Sequence, residues 1–366
     1  MTDFTLPIRD DLVGVQSYGA PQLDVAAPMT VNENPFGPSP ALAAAMAAAV
    51  ERVAATLNRY PDRDADELRA ALAAYVTRET GVAVTAAQTW AANGSNEVMH
   101  HIFLAFGGPG RLAITFDPTY SMYPEYARDT FTEYRTFARR DDFTVDVDAA
   151  IASISELRPS LVLLTSPNNP TGTFLDFADA ERIAGACLAA GSMLVVDEAY
   201  AEFRRAGTRT AFELLAEYPN VIVSRTMSKA FALAGARLGY AVSADTRVID
   251  VLQVVRLPYH LSAVTQAVAL TALEFAGELQ AQVDLLRSER DALAEWLTDQ
   301  GYVVAPSDAN FILFGMFDDR AAVWQRLLDQ GVLIRQTGPA GWLRVSVGIP
   351  EENAMFRQAL LTAREG

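Results

Sequence analysis

The chain contains a single lysine, Lys229, among 29 basic residues. The surrounding segment 226–235 is otherwise made of small, hydroxylated and apolar residues. A lysine in such a setting is costly unless its amine is paired or used. Because desolvation lowers the pKa of an amine and a neutral amine attacks aldehydes, this residue is a candidate for covalent Schiff-base chemistry. If arginine usage alone explained the single lysine, we would expect it on an exposed, charged face.

Side chains suited to holding an aromatic ring follow two apolar segments of strand length. Asp197 closes the run 193–196, where its carboxylate could pair with a ring nitrogen, and Tyr200 lies three residues further on. Asn169 stands in the loop 166–172, which two prolines and a glycine make rigid. Taken alone, Asp197 could be a helix N-cap and Asn169 could form an Asx turn.

Possible phosphate donors flank the lysine and precede a predicted helix. Ser95 and nearby backbone amides stand at the start of the helical stretch from Val98, although Ser95 could also be a plain helix cap. Thr226 and Ser228 add hydroxyls, and Arg237 adds a permanent charge in an apolar setting. An amine, an acid and a phosphate site together match the needs of pyridoxal 5'-phosphate (PLP), the commonest protein-bound aldehyde.

Unalternated apolar runs indicate strands that are covered on both faces. Four such runs end at polar residues: 112–116, 161–165, 193–196 and 221–223. Helix-like stretches such as 177–190 lie between them, and alanine content predicts a helix at 41–49. This order predicts an α/β fold with a mostly parallel sheet, which binds ligands past the carboxyl ends of its strands.

Three regions are predicted along the chain. Residues 1–40 form an arm that packs with the small domain, 41–265 form a large PLP-binding domain, and 266–366 form a small α+β domain. Apolar spacing predicts one long helix over 265–297. Further strands are predicted at 311–314, 332–334 and 343–347. No flexible linker separates the domains, so we expect them to share a cleft.

Composition excludes several other classes of protein. The 45 acidic and 29 basic residues give a net charge of −16, which argues against nucleic acid or an anionic membrane as a partner. One cysteine, Cys187, excludes intrachain disulfides and multi-cysteine metal sites, and favours a reducing compartment. Neither a signal peptide nor a span of roughly twenty apolar residues is present. We therefore expect a cytoplasmic protein without a metal centre.

The order and spacing of these motifs resemble the fold-type I PLP-dependent aminotransferases over nearly the whole chain. The resemblance rests on Asn169-Pro-Thr-Gly, on Asp197-x-x-Tyr200 and on Ser228-Lys229 followed by Arg237 and Gly239. The arm motif Asn-Glu-Asn-Pro at 32–35 and the segment 58–62 are similar to the histidinol-phosphate branch of that family.

The resemblance implies a role for each cofactor-site residue. Lys229 would bind PLP covalently and move the substrate proton, Asp197 would pair with the ring nitrogen, and Tyr120 would stack on the ring. Asn169 and Tyr200 would hydrogen-bond the ring oxygen. The groups around the phosphate would be Ser95, Asn96, Thr226, Ser228, Arg237 and, from a neighbouring subunit, Tyr60. This last role implies a homodimer.

The resemblance also implies a substrate site. Arg344 matches the arginine that holds the acidic group of the substrate, and Arg335 supplies a second cation, as suits a doubly charged phosphate. Arg335 could instead be an exposed strand residue. Tyr18 and Asn34 of the arm would complete the site. The expected reaction converts L-histidinol phosphate and 2-oxoglutarate into imidazole-acetol phosphate and L-glutamate, in histidine biosynthesis.

Three other functions fit the same residues. These are amino transfer from aromatic amino acids such as phenylalanine, decarboxylation of threonine phosphate, and binding of PLP by a regulatory protein without turnover. Three positions depart from the family pattern, which has asparagine at Thr30, often an acid at Gln336, and often histidine at Tyr123. We expect these departures to lie near the substrate and away from the cofactor.

Overall fold

Strands and helices alternate through most of the chain in the computed structural model, which describes residues 6–364. The strands are β1 (Ala27–Pro28), β2 (Thr89–Ala92), β3 (Leu112–Asp117), β4 (Glu133–Ala138), β5 (Leu161–Thr165), β6 (Met193–Asp197), β7 (Val221–Thr226), β8 (Gly239–Ser243), β9 (Val303–Val304), β10 (Phe311–Gly315), β11 (Val332–Leu333) and β12 (Leu343–Ser346). The helices are α1 (Pro40–Ala54), α2 (Asp66–Thr80), α3 (Gly94–Phe106), α4 (Tyr123–Asp129), α5 (Val147–Leu157), α6 (Phe177–Ala190), α7 (Thr246–Val255), α8 (Ala263–Glu274), α9 (Ala276–Asp299), α10 (Arg320–Asp329) and α11 (Pro350–Arg364).

The large domain is built on a seven-stranded sheet of order β2-β8-β7-β6-β5-β3-β4. The pairs from β7 to β4 are all parallel, whereas β8 runs antiparallel to both β7 and β2. The predicted mostly parallel α/β fold is therefore confirmed. Because parallel strands end at one edge, the residues after β5, β6 and β7 meet there.

Both faces of this sheet are covered, as the continuous apolar runs predict. Val221 and Val223 of β7 belong to the apolar cluster on one face, which includes residues of α2, α5 and α6. Ile222, between them, belongs to the cluster on the other face, with residues of α3, α4 and α7. Successive side chains of a strand point to opposite faces, so a fully buried strand needs apolar residues at each position.

The small domain contains an antiparallel sheet of order β12-β10-β9, packed with α9, α10 and α11 around a separate apolar cluster. The single helix predicted over 265–297 is wrong, because α8 ends before Phe275 and α9 begins after it. α8 packs on α1 and α2 of the large domain. α9 places Leu279, Val283 and Leu286 in the apolar cluster of the large domain, and Leu293 and Leu297 in that of the small domain. The chain therefore passes between the two domains along α9.

The arm joins the small domain before it reaches the large one. β1 pairs in parallel with β11. Beyond β1, the backbone of Asn32 adopts φ = 56°, a left-handed conformation that turns the arm toward the cleft. The side chain of Ser39 then caps α1 by accepting a hydrogen bond from the backbone N–H of Leu42.

Candidate active site

A cavity of about 1070 Å³ lies where the carboxyl ends of β5, β6 and β7 face the arm and the small domain. A volume of this size admits a cofactor together with a substrate. Thirteen of the fifteen residues predicted from sequence line it: Tyr18, Ser95, Asn96, Tyr120, Asn169, Asp197, Tyr200, Thr226, Ser228, Lys229, Arg237, Arg335 and Arg344.

Lys229 follows β7 and points its amine into the cavity. The Nζ atom donates a 2.9 Å hydrogen bond to the backbone carbonyl of Val31 in the arm. Burial, reinforced by the positive charge of Arg344, lowers the pKa of Lys229 to about 8. The amine therefore exchanges its proton close to neutral pH, which general acid-base and nucleophilic roles both require.

Asp197, at the end of β6, is almost fully buried. Its Oδ1 atom accepts a 3.2 Å hydrogen bond from the backbone N–H of Ala199, and its Oδ2 atom accepts one of 3.1 Å from the hydroxyl of Tyr123. Burial raises the pKa of Asp197 to about 6, against the opposing effect of the two donors. The carboxylate is thus mostly ionised at neutral pH and can pair with a protonated ring nitrogen.

The expectation that Tyr123 lies near the substrate and away from the cofactor is wrong. Its side chain is fully buried at the start of α4, where the hydroxyl contacts Asp197. The helix begins just after the cavity-lining residues 119–121 and directs the ring behind the cavity wall. The residue therefore supports the predicted ring-nitrogen partner.

The polar residues on the opposite side of the cavity link three parts of the chain. The Nδ2 atom of Asn169 lies 3.4 Å from the hydroxyl of Tyr200, which also accepts a 3.0 Å hydrogen bond from Asn32. The Oδ1 atom of Asn169 accepts a hydrogen bond from the guanidinium of Arg344. Loop, arm and small domain thus meet where a ring oxygen could be bound.

The hydroxyls predicted to bind phosphate are brought together beside the N-terminus of α3. Thr226 Oγ1 donates to Ser228 Oγ at 3.0 Å, and the Nη1 atom of Arg237 donates to the same oxygen at 3.4 Å. On the adjacent wall, Tyr120 donates a 3.0 Å hydrogen bond to Asn96 Oδ1. Helix N-terminal amides, hydroxyls and a guanidinium form a donor set that suits a phosphate dianion.

Two glycines allow close packing of the phosphate cradle, the donor set formed by Ser95, Thr226, Ser228 and Arg237. A Cβ atom added to Gly94 would lie 2.5 Å from the Nη2 atom of Arg237, and one added to Gly239 would lie 2.2 Å from the backbone nitrogen of Ser95. The guanidinium and β8 therefore approach the first turn of α3 only because side chains are missing. The residues at this end of the cavity therefore fit the phosphate group of PLP.

Two arginines from the small domain line the same cavity as the lysine. Arg335 and Arg344 exchange 2.9 Å backbone hydrogen bonds with each other, which places them on adjacent chain segments. The Nη2 atom of Arg344 donates to the carbonyl of Thr30 at 2.8 Å, and Arg335 donates to the carbonyl of Gly19 at 3.1 Å. Within residues 6–364, neither side chain forms an ion pair with a carboxylate, so their charge is available to an anionic substrate.

The arm covers the cavity but contributes a different asparagine from the one predicted. Tyr18, half exposed, accepts a 3.0 Å hydrogen bond from Ser121 across the opening. Asn34 does not line the cavity, because its side chain caps the backbone N–H of Phe36 and faces Gln282. Asn32 lines it instead.

Asn32 was not predicted as a site residue, although it is buried and bonded to both Tyr200 and Ser346. The two asparagines of the Asn-Glu-Asn motif are equivalent in the sequence. Only the left-handed turn at Asn32, a conformation that asparagine tolerates, distinguishes them. Tyr60 also lies outside the cavity; it is 80% exposed and stacks on Tyr259 at 4.4 Å.

Known proteins resemble this chain over nearly its whole length. Residues 27–360 match the family model described as aminotransferase class I and II. The histidinol-phosphate aminotransferase of Thermobifida fusca is 61% identical over 358 residues, covering 98% of this chain and 95% of that protein. That of Corynebacterium glutamicum is 50% identical over 363 residues, covering 98% of each.

Solved structures show the same fold. A variant of Thermus thermophilus aspartate aminotransferase superimposes with a TM-score of 0.81 at 26% identity, covering 98% of this chain and 99% of that one. The histidinol-phosphate aminotransferase of Sinorhizobium meliloti, solved in complex with pyridoxal-5'-phosphate, gives a TM-score of 0.85 at 24% identity, covering 100% and 99%. Within residues 6–364, every helix falls short of the length and apolarity that a membrane crossing requires.

Proposed function

Because the chain belongs to the class I and II aminotransferase family, we propose that it transfers an amino group from L-histidinol phosphate to 2-oxoglutarate. The observation that carries this choice of substrate is the pair Arg335 and Arg344, two guanidiniums without carboxylate partners in the described chain that line the same cavity as Lys229. A pair of forked donors suits a phosphate dianion, which can accept several charge-assisted hydrogen bonds. The names of relatives that are 50–61% identical support the same substrate.

The cavity residues would hold PLP at three points. Ser95, Thr226, Ser228 and Arg237 would bind its phosphate, Asp197 would face the ring nitrogen, and the ring oxygen would lie near Asn169 and Tyr200. Bound PLP supplies an aldehyde for the amino group and a conjugated ring that delocalises negative charge from the substrate α-carbon. Among the residues that line the cavity, Lys229 has the amine that this aldehyde requires.

Lys229 would also move the proton of the substrate. An amine with a pKa of about 8 is present in both protonation states near neutral pH, so it can remove a proton from the α-carbon and return it. The carbonyl of Val31 fixes the position of the amine at 2.9 Å. Arginine, which stays protonated, could not replace it.

The rest of the substrate would be held between arm and small domain. Arg344 is buried and braced by Asn169 and the carbonyl of Thr30, so its guanidinium is fixed before any ligand arrives. Arg335 is only half buried and could adjust to the second charge of a phosphate. Tyr18 would close over the substrate and exclude water.

We further propose a cytoplasmic homodimer, with neither nucleic acid nor membrane as a partner. Tyr60 is 80% exposed beside Tyr259, and we expect it to enter the cavity of a second copy. Mixing Tyr60→Ala with Lys229→Ala tests this idea. A mixed dimer then has one cavity with both defects and one with neither, so activity should return on mixing, and a mixture as inactive as its components would contradict the arrangement.

Steady-state kinetics with competing amino donors tests the substrate. We expect kcat/KM for histidinol phosphate to exceed that for phenylalanine, and Arg335→Ala to reduce this preference. If phenylalanine is the better donor by a wide margin, the enzyme is an aromatic aminotransferase. Purified protein should be yellow, and borohydride should fix the cofactor to Lys229; a colourless protein that forms no adduct with added PLP would refute the cofactor as well.

A further inference from the structure

At the cavity wall, a row of hydroxyl groups from Thr119, Thr165 and Tyr123 ends at the carboxylate of Asp197. The hydroxyl of Tyr123 lies 3.1 Å from Asp197 Oδ2 and 2.7 Å from Thr165 Oγ1. Thr165 Oγ1 in turn lies 3.3 Å from Thr119 Oγ1. Tyr123 and Thr165 are buried, and the aromatic ring of Tyr123 packs edge-on against Tyr120 at 5.6 Å.

Counting protons fixes the direction of these hydrogen bonds. An ionised carboxylate can only accept, so the phenol must donate its single proton to Asp197. The 2.7 Å contact must then run the other way, with the hydroxyl of Thr165 donating to the oxygen of Tyr123. Thr119 is left to donate to Thr165 or to Asn168 Oδ1, each at 3.3 Å. Hydrogen bonds aligned in one direction polarise and strengthen one another.

We propose that Tyr123, supported by Thr165, is a positioning residue that holds the carboxylate of Asp197 ionised and directed at the cavity through a hydrogen bond of fixed polarity. A phenol is well suited to this role because burial and the charge of Asp197 raise the pKa of Tyr123 far above its ordinary value. The hydroxyl therefore keeps its proton at every working pH. An imidazole at this position could gain or lose a proton in the same range.

The surroundings of Asp197 make its ionisation depend on the hydrogen bond from Tyr123. Burial raises the proton affinity of the carboxyl, and the neighbouring carboxylate of Glu198 raises it further. The donors that oppose them are the hydroxyl of Tyr123 and the backbone N–H of Ala199. The other titratable side chains that line the cavity are Tyr18, Asp24, Glu33, Tyr120, Tyr200 and Lys229, and Arg237, Arg335 and Arg344 add fixed positive charge. Without the hydroxyl of Tyr123, the backbone N–H of Ala199 would be left to oppose the effects of burial and of Glu198 on the pKa of Asp197.

The test compares Tyr123→Phe with Tyr126→Phe in the full-length chain freed of cofactor. Both tyrosines are buried on α4, but the hydroxyl of Tyr126 has no hydrogen-bond partner in the described part of the chain. Carboxyl ¹³C NMR would follow the titration of Asp197, whose resonance is identified by its loss in Asp197→Asn. From the strength of a hydrogen bond to a charged group, we expect the proton affinity of Asp197 to rise roughly tenfold to hundredfold in Tyr123→Phe. Tyr126→Phe should titrate like the parent.

A second readout uses the enzyme with cofactor. In Tyr123→Phe, the acid limb of the kcat profile should move to higher pH while KM for the substrate stays near its parental value. A merely structural role for Tyr123 would lower activity at every pH alike. This readout rests on the proposed function, whereas the titration of Asp197 is independent of the substrate, so the two proposals fail separately.

Two results would overturn the inference: parental titration of Asp197 in Tyr123→Phe, or equal displacement by both tyrosine variants. If Tyr123→Phe does not fold, the pair Thr165→Val and Thr165→Ser decides the question. Serine keeps the hydroxyl that donates to Tyr123, so it should preserve the titration, and valine should displace it upward. Equal titration in these two variants would contradict the proposed role of the hydroxyl row.

Discussion

Replacing Gly239 by alanine should disrupt the phosphate cradle without touching any side chain that binds the cofactor. The added Cβ atom would lie 2.2 Å from the backbone nitrogen of Ser95 and 2.3 Å from the carbonyl carbon of Gly94. Ordinary contact begins at 3.4 Å, so β8 and the first turn of α3 must separate by 3.4 − 2.2, or about 1.2 Å. The backbone of Gly239 does not have a positive φ, so the cost is steric.

This displacement has two measurable effects. Overpacking of this kind costs about 1–3 kcal/mol of stability. A shift of about 1.2 Å also breaks hydrogen bonds from the first turn of α3 to a phosphate, each worth about 1.5–3 kcal/mol. Each bond lost therefore weakens PLP binding roughly tenfold to hundredfold.

The assay is titration of the cofactor-free protein with PLP, followed by absorbance, together with thermal unfolding. Gly235→Ala is the matched control, because a Cβ atom there meets no atom within 4 Å. We expect parental affinity and stability in Gly235→Ala and loss of both in Gly239→Ala. Parental PLP affinity in Gly239→Ala would refute the assignment of this turn as the phosphate site.

Further predictions concern three of the cationic side chains that line the cavity, Lys229, Arg335 and Arg344. Lys229→Ala should abolish amino transfer and the borohydride-stable adduct, and normal turnover in this variant would remove the proposed acid-base group. The pKa of Lys229 is lowered from 10.5 to about 8, so between these values the unfolded chain binds more protons than the folded one, and stability rises with pH. Denaturant unfolding of the cofactor-free protein should show this rise, and Lys229→Met should remove its share. Arg335→Ala should raise KM for histidinol phosphate roughly tenfold or more and leave phenylalanine unaffected; equal effects on both would contradict phosphate recognition. Arg344→Lys, which cannot keep the bonds to both Asn169 and the carbonyl of Thr30, should impair both substrates, and parental KM values would show that these bonds are dispensable.

The strands and the residues that follow them were predictable because local sequence determines them. Runs such as 161–164 are apolar at every position, and burial on both faces of a parallel sheet requires this pattern. Asp197 and Asn169 could be placed at one edge because parallel strands share a direction. The position of the reactive amine could be predicted because Lys229 is the single lysine of the chain and lies in an apolar segment.

Features that depend on distant contacts were not predictable. The break at Phe275 interrupts a helical periodicity that continues across it, so the local sequence does not indicate where one helix ends and the next begins. The choice between Asn32 and Asn34 depends on a left-handed turn fixed by Ser346 and Tyr200, which lie far away in the sequence. The position of Tyr123 was predicted wrongly because packing against the rest of the fold decides which way a side chain of a short helix points.

The backbone carbonyl that the arm offers to Lys229 has a thermodynamic consequence. Val31 accepts from the amine, so a main-chain oxygen is bonded to the atom that the aldehyde of PLP would have to reach. Loading would then be a competition between PLP and this carbonyl, whereas the bond from Arg344 to Thr30 orients the guanidinium for substrate. By linkage, any change that detaches Val31 from Lys229 must favour PLP, and bound PLP must favour release of this contact to the same extent. Since the contact is made by a main-chain atom, a substitution at Val31 leaves this competition in place.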